Sequence, residues 1–452
     1  MSKILLTFKA PLLCGVLIMS IFNGYVSIAQ VDTLHVLAYS VLYIGDTPPC
    51  QAPHDVLEGY LETVISYANA DIVGLEKREP EGSGGTAPVG FADSLLVNSF
   101  NAAYPGRFAY CPYTNVSAAN NISTLYYNQQ KLGYAGLLCT YSNITDFDTW
   151  KLYYKKTNLA TSHDTTFLYV TLNHTSSGSG SGSAATRATQ IAGEMTQIET
   201  HFTSLPNMIN MGDFNVHTST EACYQNLVAP SNLNYRYYDP PFYPDATYSY
   251  PADWDADPNS YASSLTVSTR TGNLPNTCSS NNSGGWSWYD HIFLSANIIN
   301  NADHVSYMPH SFRVIGNDGN RLSKAVNASP TNTSAPSVVI NAIYQLSEHY
   351  PVALDLLVDT SAASVSVIQN EKEKVTVANP IETQLVMWFT NDLIGKTISI
   401  NCTDVLGRSQ MKNSFVAQGQ MIQRPFTLLP GIYYINVTAN EIRLANIVVI
   451  KK

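Results

Sequence analysis

Along residues 31–358 the apolar positions run in two rhythms. Short continuous or alternating apolar runs at 34–42, 72–75, 166–172, 207–211, 291–295 and 352–358 predict buried strands. Between them, residues 56–67 and 184–202 place apolar side chains at three- and four-residue spacing, the period of an amphipathic helix. Strands interleaved with helices predict a layered α/β domain over residues 30–360. Two polar pieces interrupt it. The Ser/Gly tract 176–183 predicts a flexible loop, and the Tyr-, Pro- and Asp-rich stretch 235–261 carries too many prolines for a regular element. Residues 361–374 form a polar linker with no packing pattern. Beyond it, the apolar runs at 385–389, 397–401, 432–437 and 442–450 alternate with turns and predict a small C-terminal all-β sandwich over 375–452.

Composition changes this picture mainly at the N-terminus. Lys3 and Lys9 precede the short apolar run 12–22, and Ser27-Ile28-Ala29 places small residues where a signal peptidase cuts, so residues 1–29 read as a secretory signal. The run is too short for the ~20 apolar residues that span a bilayer. A secreted or cell-surface protein follows. Its charged content of 13% is low against the roughly 25% of an average globular chain. Of seven cysteines, Cys14 lies in the signal; six remain, and in an exported chain these can form disulfides. Cys223 with Cys278 is the preferred pair because it would staple the irregular segment between them. Residues 30–360 carry 13 basic and 28 acidic side chains, a net of −15, which works against non-specific binding to long nucleic acids.

The candidate chemistry lies at strand ends. Met211-Gly212-Asp213-Phe214-Asn215 closes an apolar strand with two oxygen-bearing side chains on alternate positions, facing one side. Asn173-His174 closes another. Asp290 opens the strand beginning at His291, Glu348 and His349 precede the strand at 352, and Asp71 to Leu75 leads directly into Glu76-Lys77. Separately, Asp253, Asp255, Asp257 and Asn259 have the alternate-residue oxygen spacing of calcium loops, without the glycine and closing glutamate of an EF-hand. They read either as a structural calcium site or as an acidic loop.

The order and spacing of these motifs over residues 34–358 resemble the endonuclease/exonuclease/phosphatase superfamily, of the deoxyribonuclease-like type. The resemblance implies a four-layer α/β sandwich, two central sheets flanked by helices, and a phosphate-ester hydrolase such as a phosphodiesterase or nuclease. Carried over position by position, it makes His349 the base that activates water and Asp290 the residue that orients it. Asp213 and Asn215 would face phosphate and water, and His174 would contact a phosphate oxygen. The metal side departs from the pattern: Ser40 stands for the family's Asn, Glu348 for its Asp, and Lys77 for the Glu that ligates magnesium. An ammonium has no lone pair for a cation. Glu76 could take over only if the strand bulged, since successive strand side chains face opposite ways.

Three readings stay open. The domain hydrolyses phosphoesters with Lys77 in the cation's place, Lys77 and Ser40 then contacting substrate. It is a non-catalytic secreted or surface binding protein. Or an unrecognised ligand, with Glu348, restores a magnesium or other divalent site. The substrate could be nucleic acid, a lipid headgroup or a small phosphomonoester. The last 80 or so residues resemble the C-terminal sorting domain of type IX secretion cargo, through Asn379-Pro380, the turn from Asp404 to Arg408, Leu429-Pro430-Gly431 and the final strand. That resemblance implies the type IX secretion machinery as a partner.

Overall fold

The computed structural model describes residues 31–360 and 375–452, apart from 47–51, 83–84, 157–158, 160–164, 243–252, 273–281, 405–407 and 440–441. The signal at 1–29, the linker at 361–374, Cys50, Cys278 and the centre of the 404–408 turn lie outside the described residues. The chain divides into two compact units, 1–362 and 363–452.

The first unit is built on two sheets. Strands β1 (Val31–Ser40), β2 (Ile72–Arg78), β3 (Phe108–Tyr110) and β4 (Ile122–Asn128) belong to the first. Strands β5 (Leu132–Asn143), β6 (Thr145–Tyr154), β7 (Phe167–His174), β8 (Met208–Asp213), β9 (Tyr237–Tyr238) and β10 (Asp290–Ser295) form the second. The chain then returns to the first with β11 (Val305–Tyr307), β12 (Arg313–Val314) and β13 (Val352–Asp359). The orders are β11-β13-β1-β2-β4-β3, with β12 also on β13, and β5-β6-β7-β8-β10-β9. Each sheet holds one parallel pair, β1 with β2 and β7 with β8. A parallel pair needs a crossover, and here helices supply it: α1 (His54–Ala68) in the first sheet, α2 (Ser181–Glu199) in the second.

The facing sheets share one core, in which Leu37, Val73 and Leu354 pack with Leu172, Met211 and Ile292. Leu61 and Ile65 of α1, with Ile340 and Ile343 of a later helix (Ser337–Leu346), extend this core on the first sheet's outer side. Ile191, Met195 and Ile198 of α2 pack with Tyr169, Met208 and Phe293 in a second cluster. The result is a four-layer α/β sandwich.

Two expectations change. Helix α2 begins at Ser181, inside the Ser/Gly tract, and the tract is tethered: Arg187 donates to the carbonyls of Ser176 (3.0 Å) and Gly178 (2.8 Å), and Gln190 accepts from the Ser176 amide (2.9 Å). The Tyr- and Pro-rich stretch contains a short edge strand, β9, on β10. Cys223 is a buried free thiol, and its expected partner Cys278 lies outside the described residues.

The second unit pairs a three-stranded and a four-stranded antiparallel sheet around Leu385, Met387, Ile398, Ile400, Ile435 and Val437. Burial alternates along its strands, the mark of sheets wet on one face. Among the described residues no helix is long and apolar enough to cross a membrane.

Candidate active site

Register collects the sequence motifs at one end of the sandwich. The two parallel pairs put the carboxyl ends of β1, β2, β7 and β8 side by side, with Ser40 opposite Glu76 and His174 opposite Asp213. Antiparallel β10 then sets Asp290 opposite Asp213. Strand β13 runs back along β1 with Val352 opposite Ala38, so the preceding Glu348 and His349 arrive beside Ser40. Gly212 permits the close approach of β7 and β8: a Cβ there would lie 2.1 Å from the Asn173 carbonyl oxygen.

A cleft of about 540 Å³ opens over these ends, and Lys77, His174, Asn215, Glu348 and His349 line it. Asp213 and Asp290 are buried beneath. His349 Nδ1 donates to Asp290 Oδ2 at 2.8 Å, which fixes the tautomer and turns Nε2 away from Asp290. Lys77 Nζ sits 2.9 Å from Asp213 Oδ2, 3.8 Å from Glu348 Oε1, and donates to His349 Nε2 at 3.0 Å. His174 Nδ1 donates to Asn121 Oδ1 at 2.7 Å, with Nε2 3.9 Å from Asp213 Oδ2. Asn215 adopts φ +46° and donates to the Thr175 carbonyl at 3.0 Å.

The electrostatics follow from the lysine. Burial opposes the charge on Lys77, but Asp213 and Glu348 raise its pKa above the usual lysine value. Burial likewise pushes Asp213 up, yet the Lys77 ammonium, through its charge and its hydrogen bond, holds its carboxyl well below the usual range. His174 is pushed down to about 3 by burial and by Lys77, so it is a neutral imidazole. His349 is raised, Asp290 and Asp213 outweighing burial and Lys77. With Lys77 charged, the 3.0 Å contact requires an unprotonated Nε2, so the lysine occupies the lone pair that a general base uses.

Strand β2 does bulge. Its pairing with β4 slips between Leu75 and Arg78, and Lys77 takes φ +60°, so Lys77 joins Glu76 on the inner side; Glu76 already faces that way by alternation, on the side of Gly74 two residues before it, near Leu172 and Met211. Glu76 is fully buried with no hydrogen-bond partner, and burial, Asp290 and Asp213 raise its pKa well above the carboxylate range. Ser40 is also fully buried and is not among the cleft-lining residues, which corrects its assignment to substrate contact. It contributes its backbone carbonyl, which accepts from Ser347 Oγ at 2.5 Å; Ser347 Oγ in turn accepts from the His349 amide at 3.0 Å.

Asp213, Asp290 and His349 bring ligand atoms within 4.8 Å of one another, the one such cluster among the described residues. It does not fit a divalent ion. The Lys77 ammonium already neutralises Asp213, touches His349 Nε2, and would face any cation placed there. Asp253, Asp255 and Asp257 form no shared ligand cluster among the described residues. Asp255 accepts from His217 Nδ1 and Ser287 Oγ, Asp253 from the Ala256 amide and Asp257 from Ser260 Oγ, so the three carboxylates are committed to separate partners.

Sequence reasoning did not single out Asn121, His217, Trp286 or Tyr289, which line the cleft, nor Arg270, whose guanidinium donates to the Tyr344 carbonyl (2.7 Å) and Gln345 carbonyl (3.1 Å) just before Ser347. Asn121, Trp286 and Arg270 sit in no motif; Tyr289 stands directly before Asp290, and the GDFN-x-His spacing hinted at His217.

No family model matches the chain, and no curated protein matches it. Solved structures do. An endonuclease/exonuclease/phosphatase family protein from Bacteroides thetaiotaomicron is 15% identical over 73% of this chain and 97% of its own, with a TM-score of 0.40. A mannosyl-6-phosphatase from the same species is 15% identical over 72% and 99%, TM-score 0.39. D. rerio TDP2, complexed with a single-strand DNA product, is 13% identical over 72% and 99%, TM-score 0.40. At these values the fold and site described above stand on this chain's own sheet order and side chains.

Proposed function

We propose that this chain is an exported phosphoester hydrolase of the endonuclease/exonuclease/phosphatase type in which the Lys77 ammonium takes the place of a divalent cation. The observation that carries the reading is the continuous contact from Asp290 through His349 and Lys77 to Asp213 at the floor of the cleft. A carboxylate-held imidazole is what general-base catalysis needs, and a buried ammonium is a preorganised charge for a phosphoryl oxygen. An arriving phosphoester draws Nζ from His349 to its own oxygens. Nε2 is then free to take a proton from water, with Asn215 and neutral His174 facing the phosphate. The net charge of −15 over residues 30–360 favours small phosphoesters over long polyanions.

One observation favours a second reading, a phosphate-binding protein without catalysis: Nε2 is already hydrogen-bonded to Lys77. The two separate on a generic activated phosphodiester, assayed with magnesium, with calcium and with EDTA. The hydrolase reading expects slow turnover insensitive to EDTA and lost in both His349→Ala and Lys77→Ala. A general base contributes about 10²–10⁴-fold, well above background. Binding of inorganic phosphate without turnover supports the second reading. Turnover that requires a divalent ion overturns the role given to Lys77.

Export rests on the N-terminal signal pattern and on the tail's likeness to type IX sorting domains, with the tail as the part read by that machinery.

A further inference from the structure

The cleft holds a second imidazole–carboxylate pair, built as deliberately as the first. His217 lies just beyond the Asp213–Asn215 turn and lines the same cleft as Lys77, His174 and His349. Its Nδ1 is hydrogen-bonded to Asp255 Oδ2, and Asp255 Oδ1 accepts from Ser287 Oγ. The loop carrying Asp255 is anchored by Trp254, a fully buried side chain that packs on Trp288 and Tyr224 and donates Nε1–H to the Val216 carbonyl at 3.0 Å. The Tyr289 hydroxyl lies 3.3 Å from His217 Nδ1 and 3.4 Å from Nε2, and its ring meets the imidazole edge-on. Trp286, with a buried indole N–H that has no hydrogen-bond partner, stands 6.3 Å from the imidazole, centroid to centroid.

The arrangement ties the acidic loop to the cleft through Asp255 and His217. With Nδ1 held by Asp255, Nε2 is the ring atom left to exchange a proton with anything bound in the cleft. His349 already serves the water side, and His174 is a neutral imidazole committed to Asn121. Hydrolysis of an unactivated ester also needs a proton on the departing oxygen.

We propose that His217 is the general acid of this site, with Asp255 and Ser287 as its positioning residues; this rests on the hydrolase reading above. Water oxygen bonds to phosphorus while His349 Nε2 takes its proton. The phosphorus–oxygen bond to the leaving group breaks, and the departing oxygen takes the proton from His217 Nε2. Product is the free alcohol, and a proton passes from His349 to solvent as His217 regains one.

The test uses the full chain and two substrates that differ only in leaving group, methyl 4-nitrophenyl phosphate and methyl phenyl phosphate. A nitrophenolate departs without a proton; a phenolate leaves far less readily. His217→Gln is expected to lose on the order of 100-fold in kcat on the phenyl ester and less than about fivefold on the nitrophenyl ester. Asp255→Asn keeps the imidazole and is expected to show the same selectivity to a smaller degree, so the inference does not depend on one variant folding. Equal losses on both esters in both variants overturn the acid role and leave the hydrolase reading standing, as does unchanged turnover of both. No turnover of either ester by the parent protein removes the hydrolase reading and this proposal with it.

Discussion

An ammonium and a divalent cation neutralise a carboxylate cluster in different ways. The cation coordinates several lone pairs at once, whereas the ammonium donates hydrogens along a few directions and stays tethered to its chain. At position 77 this chain has the tethered form, bound to Asp213 and His349. Lys77→Glu replaces the charge with a carboxylate beside Asp213, Asp290 and His349. Expected outcomes are a lower melting temperature without metal and a magnesium-dependent rise that the parent protein lacks, since a ligand at 100 times its Kd stabilises by about 2.7 kcal/mol. A magnesium titration followed by thermal melting checks this; identical responses of parent and variant would show that the cluster is not a latent metal site. The residues that sequence alone exposed, Asp213, Asn215, Asp290, His174, Lys77 and His349, share a property: each lies in a short motif at a strand end. That Glu76 and Lys77 share one side was legible only conditionally, because it depends on a bulge. His217 and Asp255 were not legible as a pair, because they lie far apart in the chain and meet only when Trp254 packs.

At the level of elements, the strands were readable from apolar runs because buried strands of a layered fold are apolar on both faces. What those runs did not reveal is the polar chain threaded between α2 and the second sheet. Asn173 on β7 donates to Asn210 on β8, which donates to Glu194 Oε1 on α2 at 2.7 Å, all three fully or almost fully buried. Burial pushes the Glu194 carboxyl up to about 8, against the two asparagine hydrogen bonds. The folded state therefore holds a proton that the unfolded state releases near pH 4.3. That contribution to stability is fully present below the unfolded pKa and is lost as pH rises towards 8, on the order of a few kcal/mol. Glu194→Gln keeps an acceptor for Asn210 and cannot ionise. It is expected to melt several degrees above the parent at pH 8, with the gap shrinking towards pH 5. A gap that is equal at both pH values would mean that Glu194 is not the titrating group.

For the whole molecule, the strands of the first unit end at Asp359, and the second unit has its own core. Residues 30–360 expressed alone are expected to stay soluble and melt cooperatively; aggregation of this piece beside a soluble full chain would refute that boundary. Deleting 375–452 in a host with type IX secretion is expected to strand the protein in the periplasm, as fractionation and immunoblotting would show, and normal surface delivery would remove the tail's assignment. The sequence by itself determined the layered α/β class, the all-β tail and the identity of the residues at the strand ends, because periodicity and local motifs are properties of neighbouring residues. Only the tertiary structure decided that Lys77 points at His349, that Ser40 stays beneath the cleft, that Asp255 of the acidic loop holds His217, and that Lys77 shares the inner side with Glu76. Each of these depends on strand register, on a bulge or on a packed tryptophan, and those are set by contacts between segments far apart in the chain.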